Sequence, residues 1–187
     1  MKYEFVVYGD SIAFGYGNNN QSWFDILFQD KSLKLAQNGE KIEDVLYKIK
    51  QDNNQYNTIF LAVGINNLLS PIPQNNQISL PELINKYKEI QEIAYSKASK
   101  VIVQSVLPIR EELFPNQAWL NENKWAFNSE IEVFNQKLAK LCSKLNVKYI
   151  DAYSKFCSNN LSDIYIDAVH LNKIGQKKLA DIYLNFV

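Results

Sequence analysis

The residues Thr58-Ile59-Phe60-Leu61-Ala62-Val63 form a continuous run of apolar and β-branched side chains that ends at Gly64. A run without polar residues at alternate positions is typical of a strand whose two faces are both buried. Strands of that kind occur in parallel sheets that carry helices on each side. This segment therefore predicts a parallel sheet in the interior of an α/β domain.

Similar short apolar runs alternate with helical patterns on both sides of this segment. Strands are predicted at Tyr3–Tyr8, Leu33–Gln37, Val101–Val106 and Val147–Ile150. Between and after them, apolar residues recur at helical spacing. This alternation predicts a three-layer α/β/α sandwich with a five-stranded, flavodoxin-like parallel sheet. The apolar positions of the predicted helices fall within Ser22–Gln29, Ile42–Ile49, Leu83–Ala94, Phe127–Leu145 and Leu179–Phe186, and Asn172 is predicted to cap the last helix.

Composition narrows the classes of function. The 187 residues are 47% hydrophobic and 21% charged, which predicts one globular domain over residues 1–187. The 20 basic and 20 acidic residues cancel, so no charge excess favours nucleic acid. No apolar run approaches the roughly 20 residues of a membrane span, and no signal-peptide pattern follows Met1, so we expect a cytoplasmic protein. One histidine and two cysteines are too few for the usual zinc sites, and we expect neither a metal nor another cofactor.

Three residues that could form a catalytic triad lie in segments that follow predicted strands or precede the last helix. In parallel sheets, ligands bind beyond the carboxyl ends of the strands. Ser11 follows the first predicted strand, and His170, the only histidine, stands three residues after Asp167. A serine hydroxyl needs a base to become a nucleophile near neutral pH. A carboxylate at this spacing can reach Nδ1 of the imidazole and orient it. A lone histidine is otherwise an ordinary surface or core residue, and the neighbouring segments decide between the two interpretations.

Acyl transfer also requires hydrogen-bond donors for the oxyanion of the tetrahedral intermediate. The candidates are the backbone N–H of Ser11, the backbone N–H of Gly39 after the second strand, and the side-chain amide of Asn66 after the third. Taken singly, Gly39 is explained as a turn glycine and Asn66 as a cap. Three donors from three loops at one edge would, however, surround a single oxygen.

Four blocks of this sequence resemble the SGNH/GDSL hydrolase family, in the family's order. They are Gly9-Asp10-Ser11-Ile12-Ala13-Phe14-Gly15-Tyr16-Gly17, Asn38-Gly39-Glu40, Gly64-Ile65-Asn66-Asn67, and Asp167-Ala168-Val169-His170-Leu171-Asn172 with Gly175. The resemblance implies the SGNH hydrolase fold, Ser11 as nucleophile, His170 as base and Asp167 as its orienting residue. It also implies that Ser11, Gly39 and Asn66 supply the oxyanion donors.

One position departs from the family pattern, because Asn67 stands where an aspartate is common. The resemblance implies that the family's aspartate forms structural hydrogen bonds and is not a member of the triad. Asparagine can accept some of the same bonds. We therefore expect the substitution to change the rigidity of the loop rather than to abolish activity.

The resemblance implies a serine esterase that forms an acyl-enzyme on Ser11, with a small-molecule ester as substrate. A short acyl or O-acetyl ester is the first expectation. A lysophospholipase, a thioesterase or an acyltransferase on the same triad are alternatives. A flavodoxin-like binding module without catalysis is an alternative of a different class, but it leaves Asp167 and His170 without a role.

Several further residues at the same edge have two interpretations each. Asp10 is interpreted as orienting the turn around Ser11 rather than as a catalytic carboxylate. Arg110, the only arginine, either binds an anionic group of the substrate or pairs with Glu111 or Glu112. Three aromatic residues before the long helix either contact substrate or cover the core, with neither favoured: Phe114, Trp119 and Trp125.

Overall fold

A computed structural model of the chain describes residues 3–71, 79–120 and 124–186. The main sheet has five parallel strands, as predicted, and a separate antiparallel pair of two-residue strands lies outside it. In chain order the strands are β1 (Phe5–Gly9), β2 (Ser32–Ala36), β3 (Tyr56–Ala62), β4 (Ser70–Pro71), β5 (Ala98–Gln104), β6 (Lys124–Trp125) and β7 (Lys148–Ile150). The main sheet has the order β2-β1-β3-β5-β7, and β4 pairs with β6.

Helices cover both faces of the main sheet. In chain order they are α1 (Ser11–Phe14), α2 (Trp23–Leu27), α3 (Ile42–Gln51), α4 (Ile65–Leu68), α5 (Leu80–Lys97), α6 (Asn128–Lys144), α7 (Ala152–Cys157) and α8 (Lys173–Tyr183). Helix α5 packs against α3 and α6, whereas α2 packs against α8. The chain moves one way from β1 to β2 and the opposite way afterwards, so right-handed crossovers put α2 on one face and α3, α5 and α6 on the other.

The strand that decided the fold class lies at the centre of the sheet. Ile59, Phe60 and Leu61 of β3 are completely buried, because β1 and β5 flank the strand and helices cover both its faces. The reversal of strand order falls between β1 and β3, and ligands bind at such a switch point beyond the carboxyl ends of the strands. The segments that follow β1 and β3 carry Ser11 and Asn66.

One predicted strand end was wrong for an identifiable reason. The strand predicted over Val101–Val106 ends at Gln104, because the side chain of Asn135 takes over the backbone bonds of Val106. Asn135 accepts from the Val106 N–H at 2.9 Å and donates to the Val106 carbonyl at 2.8 Å. The last helix begins at Lys173, directly after Asn172, which caps it as predicted. Helices α1, α4 and α7 span four to six residues, too few for a periodic pattern to predict them.

Candidate active site

The loops after β2, β1 and β3 begin side by side at the carboxyl edge of the sheet. The N–H of Gln37, just after β2, donates to the carbonyl of Gly9 at 3.1 Å. The N–H of Asp10, just after β1, donates to the carbonyl of Ala62 at 3.2 Å. The segments that contain the predicted oxyanion donors therefore leave the sheet as immediate neighbours.

The three predicted triad side chains form one hydrogen-bonded line. Nε2 of His170 lies 2.9 Å from Oγ of Ser11, and Nδ1 lies 2.7 Å from Oδ2 of Asp167. Only 4% of Ser11 and 5% of His170 are exposed, so the hydroxyl and the imidazole meet in a largely desolvated place. Electrostatic interactions are stronger there than in bulk water.

Asp167 is bonded on both of its carboxylate oxygens. Oδ1 accepts the backbone N–H groups of Val169 at 2.8 Å and His170 at 2.7 Å, which leaves Oδ2 facing the imidazole. Burial raises the pKa of Asp167, but the bonds from His170 and Val169 outweigh it and bring the pKa below the ordinary aspartate value. The ionised carboxylate favours the tautomer with a proton on Nδ1, so that Nε2 can accept a proton from Ser11.

Ser11 stands at the start of α1, where the first N–H groups have no acceptor within the helix. Asp10 is the capping residue, and its Oδ1 accepts from the Ile12 N–H at 3.0 Å. This cap holds the turn on which Ser11 sits. The position of Asp10 as helix cap therefore supports its predicted role, which is to orient the turn around Ser11.

The two other predicted oxyanion donors lie next to each other. The side-chain Nδ2 of Asn66 donates to the carbonyl of Glu40 at 2.8 Å, and Glu40 directly follows Gly39. This bond uses one of the two N–H groups of the amide and orients the other. Gly39 is exposed and has a φ of 77°, in the left-handed region that favours glycine. The buried carboxylate of Glu40 pairs with Lys48 of α3, which holds the same turn.

Asn67, the residue that departs from the family pattern, connects α4 to the beginning of α3. Its Oδ1 accepts from the Ile42 N–H at 2.9 Å, and its Nδ2 donates to Oε2 of Glu43 at 2.7 Å. An aspartate could accept the first bond but has no donor for the second. Asparagine therefore fits beside Glu43, where a second carboxylate would be repelled.

Asp10 is buried beside the nucleophile, and this burial changes its titration. Only 4% of the residue is exposed. Burial raises the pKa of Asp10 from its ordinary 3.8 to about 7, although N–H groups of Ile12 and Gly64 act in the opposite direction. The negative charge of Glu40 raises the pKa further. The folded chain therefore holds this proton at pH values where the unfolded chain has lost it.

We expect Asp10→Asn to remove a pH-dependent loss of stability. Because the folded-state pKa of Asp10 is raised, the free energy of unfolding falls as the pH rises from about 4 to about 7 and stays lower above that range. The full loss is on the order of 4 kcal/mol. Asparagine keeps an acceptor for the Ile12 N–H. Urea unfolding should show that the free energy of unfolding of the variant, relative to the wild type, is higher at pH 8 than at pH 4.

The exposed Asp181 offers a matched control, because Asp181→Asn makes the same substitution at a solvated position. The assignment is wrong if Asp10→Asn destabilises the chain by the same amount at pH 4 and pH 8. That result would mean that the backbone donors offset the effect of burial on the pKa of Asp10.

The four candidate substrate residues take different positions. Arg110 pairs with Glu112, with 2.9 Å between Nε and Oε1, as the ion-pair interpretation predicted. Phe114 is only 7% exposed and belongs to the core, and Trp125 is half-buried against the core. Trp119 contacts His170: the two ring centroids lie 5.0 Å apart, with the planes at 75°. Of these four residues, Trp119 is the one for which the structure gives a contact with the triad.

Sequence reasoning missed Tyr16 and two glutamines around the triad. The ring of Tyr16 lies on the His170 ring, with the centroids 4.2 Å apart and the planes at 35°. Oε1 of Gln117 accepts from the Ala168 N–H at 3.1 Å. Gln176 of α8 donates to the Ile12 carbonyl, in the turn that carries the nucleophile, at 3.0 Å. Tyr16 lies within the first family-like block, but no local pattern connects it to position 170.

Within residues 3–71, 79–120 and 124–186, no group of three or more His, Cys, Asp or Glu side chains is arranged to hold a metal ion. None of the helices in that part of the chain has the length and apolar character needed to cross a membrane.

Comparison with known proteins assigns the family. The model of the GDSL-like lipase/acylhydrolase family matches residues 7–178, nearly the whole chain. The chain belongs to this family. It is a GDSL-type carboxylic ester hydrolase. No curated protein sequence matches this hydrolase.

Solved structures share the fold of this GDSL-type hydrolase at low sequence identity. The acetyl xylan esterase AlAXEase has a TM-score of 0.78 and 19% identity, over 98% of this chain and 99% of that one. An acetylxylan esterase from Geobacillus stearothermophilus has a TM-score of 0.74 and 13% identity, over 99% and 95%. A lipase/acylhydrolase from Enterococcus faecalis has a TM-score of 0.74 and 18% identity, over 98% and 94%. These similarities confirm the predicted α/β/α fold.

Proposed function

We propose that this hydrolase is a serine esterase that cleaves carboxylic esters through an acyl-enzyme on Ser11. The observation that carries the proposal is the line of hydrogen bonds from Ser11 through His170 to Asp167. A flavodoxin-like binding module without catalysis would not require a buried serine that is hydrogen-bonded to an oriented imidazole. The family blocks span Gly9 to Gly175, which supports one catalytic domain over residues 1–187.

The hydrogen bonds of the triad define the path of the proton in each step of the proposed reaction. As Oγ of Ser11 attacks the ester carbonyl, its proton moves to Nε2 of His170, and Asp167 stabilises the resulting imidazolium. The oxyanion of the tetrahedral intermediate accepts hydrogen bonds from the N–H of Ser11, the N–H of Gly39 and the amide of Asn66. His170 then gives its proton to the leaving alcohol. Water repeats the sequence on the acyl-enzyme, releasing the acid and restoring Ser11.

A short acyl or O-acetyl ester is the proposed substrate. Ser11 and His170 are almost completely buried, and the aromatic rings of Tyr16 and Trp119 stand against the imidazole. This arrangement favours a small acyl group over a long chain. Two of the similar structures are acetyl xylan esterases, which supports an acetyl group.

A panel of p-nitrophenyl esters from acetate to palmitate, assayed together with acetylated xylose, tests this function. We expect kcat/KM to be greatest for acetate and to fall as the acyl chain lengthens. Treatment with a fluorophosphonate should label Ser11, identified by peptide mass spectrometry. Labelling of another serine in an active preparation would refute the nucleophile. A maximum at long chains would favour the lysophospholipase or thioesterase alternatives, and product formation only with an added alcohol would indicate an acyltransferase.

A further inference from the structure

We propose that Tyr16 is a positioning residue for this reaction, whose ring stabilises the imidazolium that His170 becomes when it takes the proton of Ser11. The inference rests on the proposed function, because it assumes that His170 is the base. It adds a residue that lies outside the triad and outside the oxyanion donors.

The stacking geometry is suited to a cation. The face of an aromatic ring is negative, and it attracts a positive group within about 6 Å of the ring centroid. The centroids of Tyr16 and His170 lie 4.2 Å apart, with the planes tilted by 35°. The attraction is greater for imidazolium than for neutral imidazole. Tyr16 therefore stabilises the charged state that forms during the reaction more than the resting state.

The backbone of Tyr16 is bonded to both catalytic segments. Its N–H donates to the carbonyl of Ser11 at 3.0 Å. Its carbonyl accepts from Nδ2 of the buried Asn18 at 3.1 Å, and the same Nδ2 donates to the carbonyl of Leu171 at 2.7 Å. A single buried amide therefore connects the backbone of Tyr16 to the residue that follows His170, and this connection holds Tyr16 beside the segment that carries the imidazole.

Close packing at Gly17 completes this arrangement. Gly17 has a φ of 73°, and a Cβ built there would lie 2.2 Å from Cδ1 of Ile166. The N–H of Ile166 in turn donates to the carbonyl of His170 at 2.9 Å. The left-handed φ favours glycine at this position, and any larger residue would also have to displace the end of the exposed Ile166 side chain.

Among residues 3–71, 79–120 and 124–186, few charged groups surround the imidazole. Asp167 faces Nδ1, and the uncharged groups of Ser11, Tyr16 and Trp119 contact the rest of the ring. Asp10 directs its Oδ1 to the Ile12 N–H. In the loop against Ala168, the guanidinium of Arg110 is paired with Glu112. Asp10 keeps its raised pKa of about 7 in every Tyr16 variant, so a difference in the pH profile between Tyr16→Phe and Tyr16→Leu can be assigned to the aromatic face.

The test compares Tyr16→Phe, which keeps the ring, with Tyr16→Leu, which removes it and keeps an apolar side chain. We measure kcat and KM for p-nitrophenyl acetate from pH 5 to pH 9. We expect the phenylalanine variant to stay within about twofold of the wild type. The leucine variant should lose about threefold to thirtyfold in kcat with KM little changed. Its acid limb should also shift to lower pH by up to about one unit, because imidazolium is less stable without the ring.

A thermal midpoint on each variant checks folding, and Tyr16→Met serves as a second non-aromatic variant if Tyr16→Leu does not fold. An unchanged kcat and acid limb in a folded non-aromatic variant would overturn the inference. Equal losses in Tyr16→Phe and Tyr16→Leu would also overturn it, since the hydroxyl would then be responsible. Full activity in Ser11→Ala would instead refute the proposed function, so the two failures are distinguishable.

Discussion

Replacing Ser11 with alanine lowers kcat by about 10³- to 10⁶-fold, while the fold stays intact. The nucleophile is lost, and the base 2.9 Å away has no hydroxyl to deprotonate. The substitution removes one oxygen from a buried residue and leaves the Asp10 cap of the same helix in place. Turnover of p-nitrophenyl acetate and a thermal midpoint on the same preparation measure both effects.

An exposed serine on α5 gives the matched control, because Ser96→Ala removes the same atom far from the carboxyl edge. That variant should keep the wild-type kcat. If Ser11→Ala retained more than about one tenth of the wild-type kcat, water or another side chain would have to be the nucleophile. The serine mechanism would then be wrong.

Replacing Asn66 with alanine lowers kcat by about 10²- to 10³-fold and changes KM much less. An oxyanion donor acts mainly in the transition state, where the negative charge on the substrate oxygen is greatest, and losing one costs roughly 3–4 kcal/mol there. The bond from Asn66 to the carbonyl of Glu40 is lost as well, so a small decrease in the thermal midpoint should accompany the kinetic effect. Measuring kcat, KM and the thermal midpoint on one variant separates the two contributions.

Two companion variants sharpen this test. Asn66→Asp keeps the shape but directs a negative charge at the developing oxyanion, so it should be at least as damaging as alanine. Asn67→Ala removes the neighbouring amide, which bonds Ile42 and Glu43 of α3, and should cost about 1 kcal/mol of stability with a much smaller effect on kcat. Near-normal kcat in Asn66→Ala, together with a lowered thermal midpoint, would show that Asn66 only caps a turn.

The layers of the fold could be predicted because they follow from local patterns. The run from Thr58 to Val63 has no polar alternation, and its burial in the centre of the sheet follows from that composition. The exact strand ends could not be predicted in the same way. Val106 lies at the end of the predicted strand, but Asn135, 29 residues further on, takes its backbone bonds, and β5 ends two residues earlier. Nothing in the sequence around Val106 indicates that partner.

The candidate site likewise contains residues that the sequence predicts and residues that only the tertiary structure identifies. Ser11, Asp167 and His170 stand in blocks whose residue types already indicate their chemistry. The aromatic residues do not: sequence treats Phe114 and Trp119 alike, yet Phe114 is buried in the core and Trp119 lies against His170. The difference depends on which side chain the loop turns inward, and packing against the rest of the domain decides that.

By itself, the sequence determined the α/β alternation, the edge of the sheet where chemistry takes place, and the types of residue available there. These follow from hydrophobic periodicity and from the rule that parallel strands present their carboxyl ends together. Only the tertiary structure decided that Ser11 meets His170 across 159 positions, that Asn66 bonds the turn of Gly39, and that Tyr16 lies on the imidazole. Contacts between residues so far apart depend on how strand order and loop packing close the chain, and no local pattern contains that information.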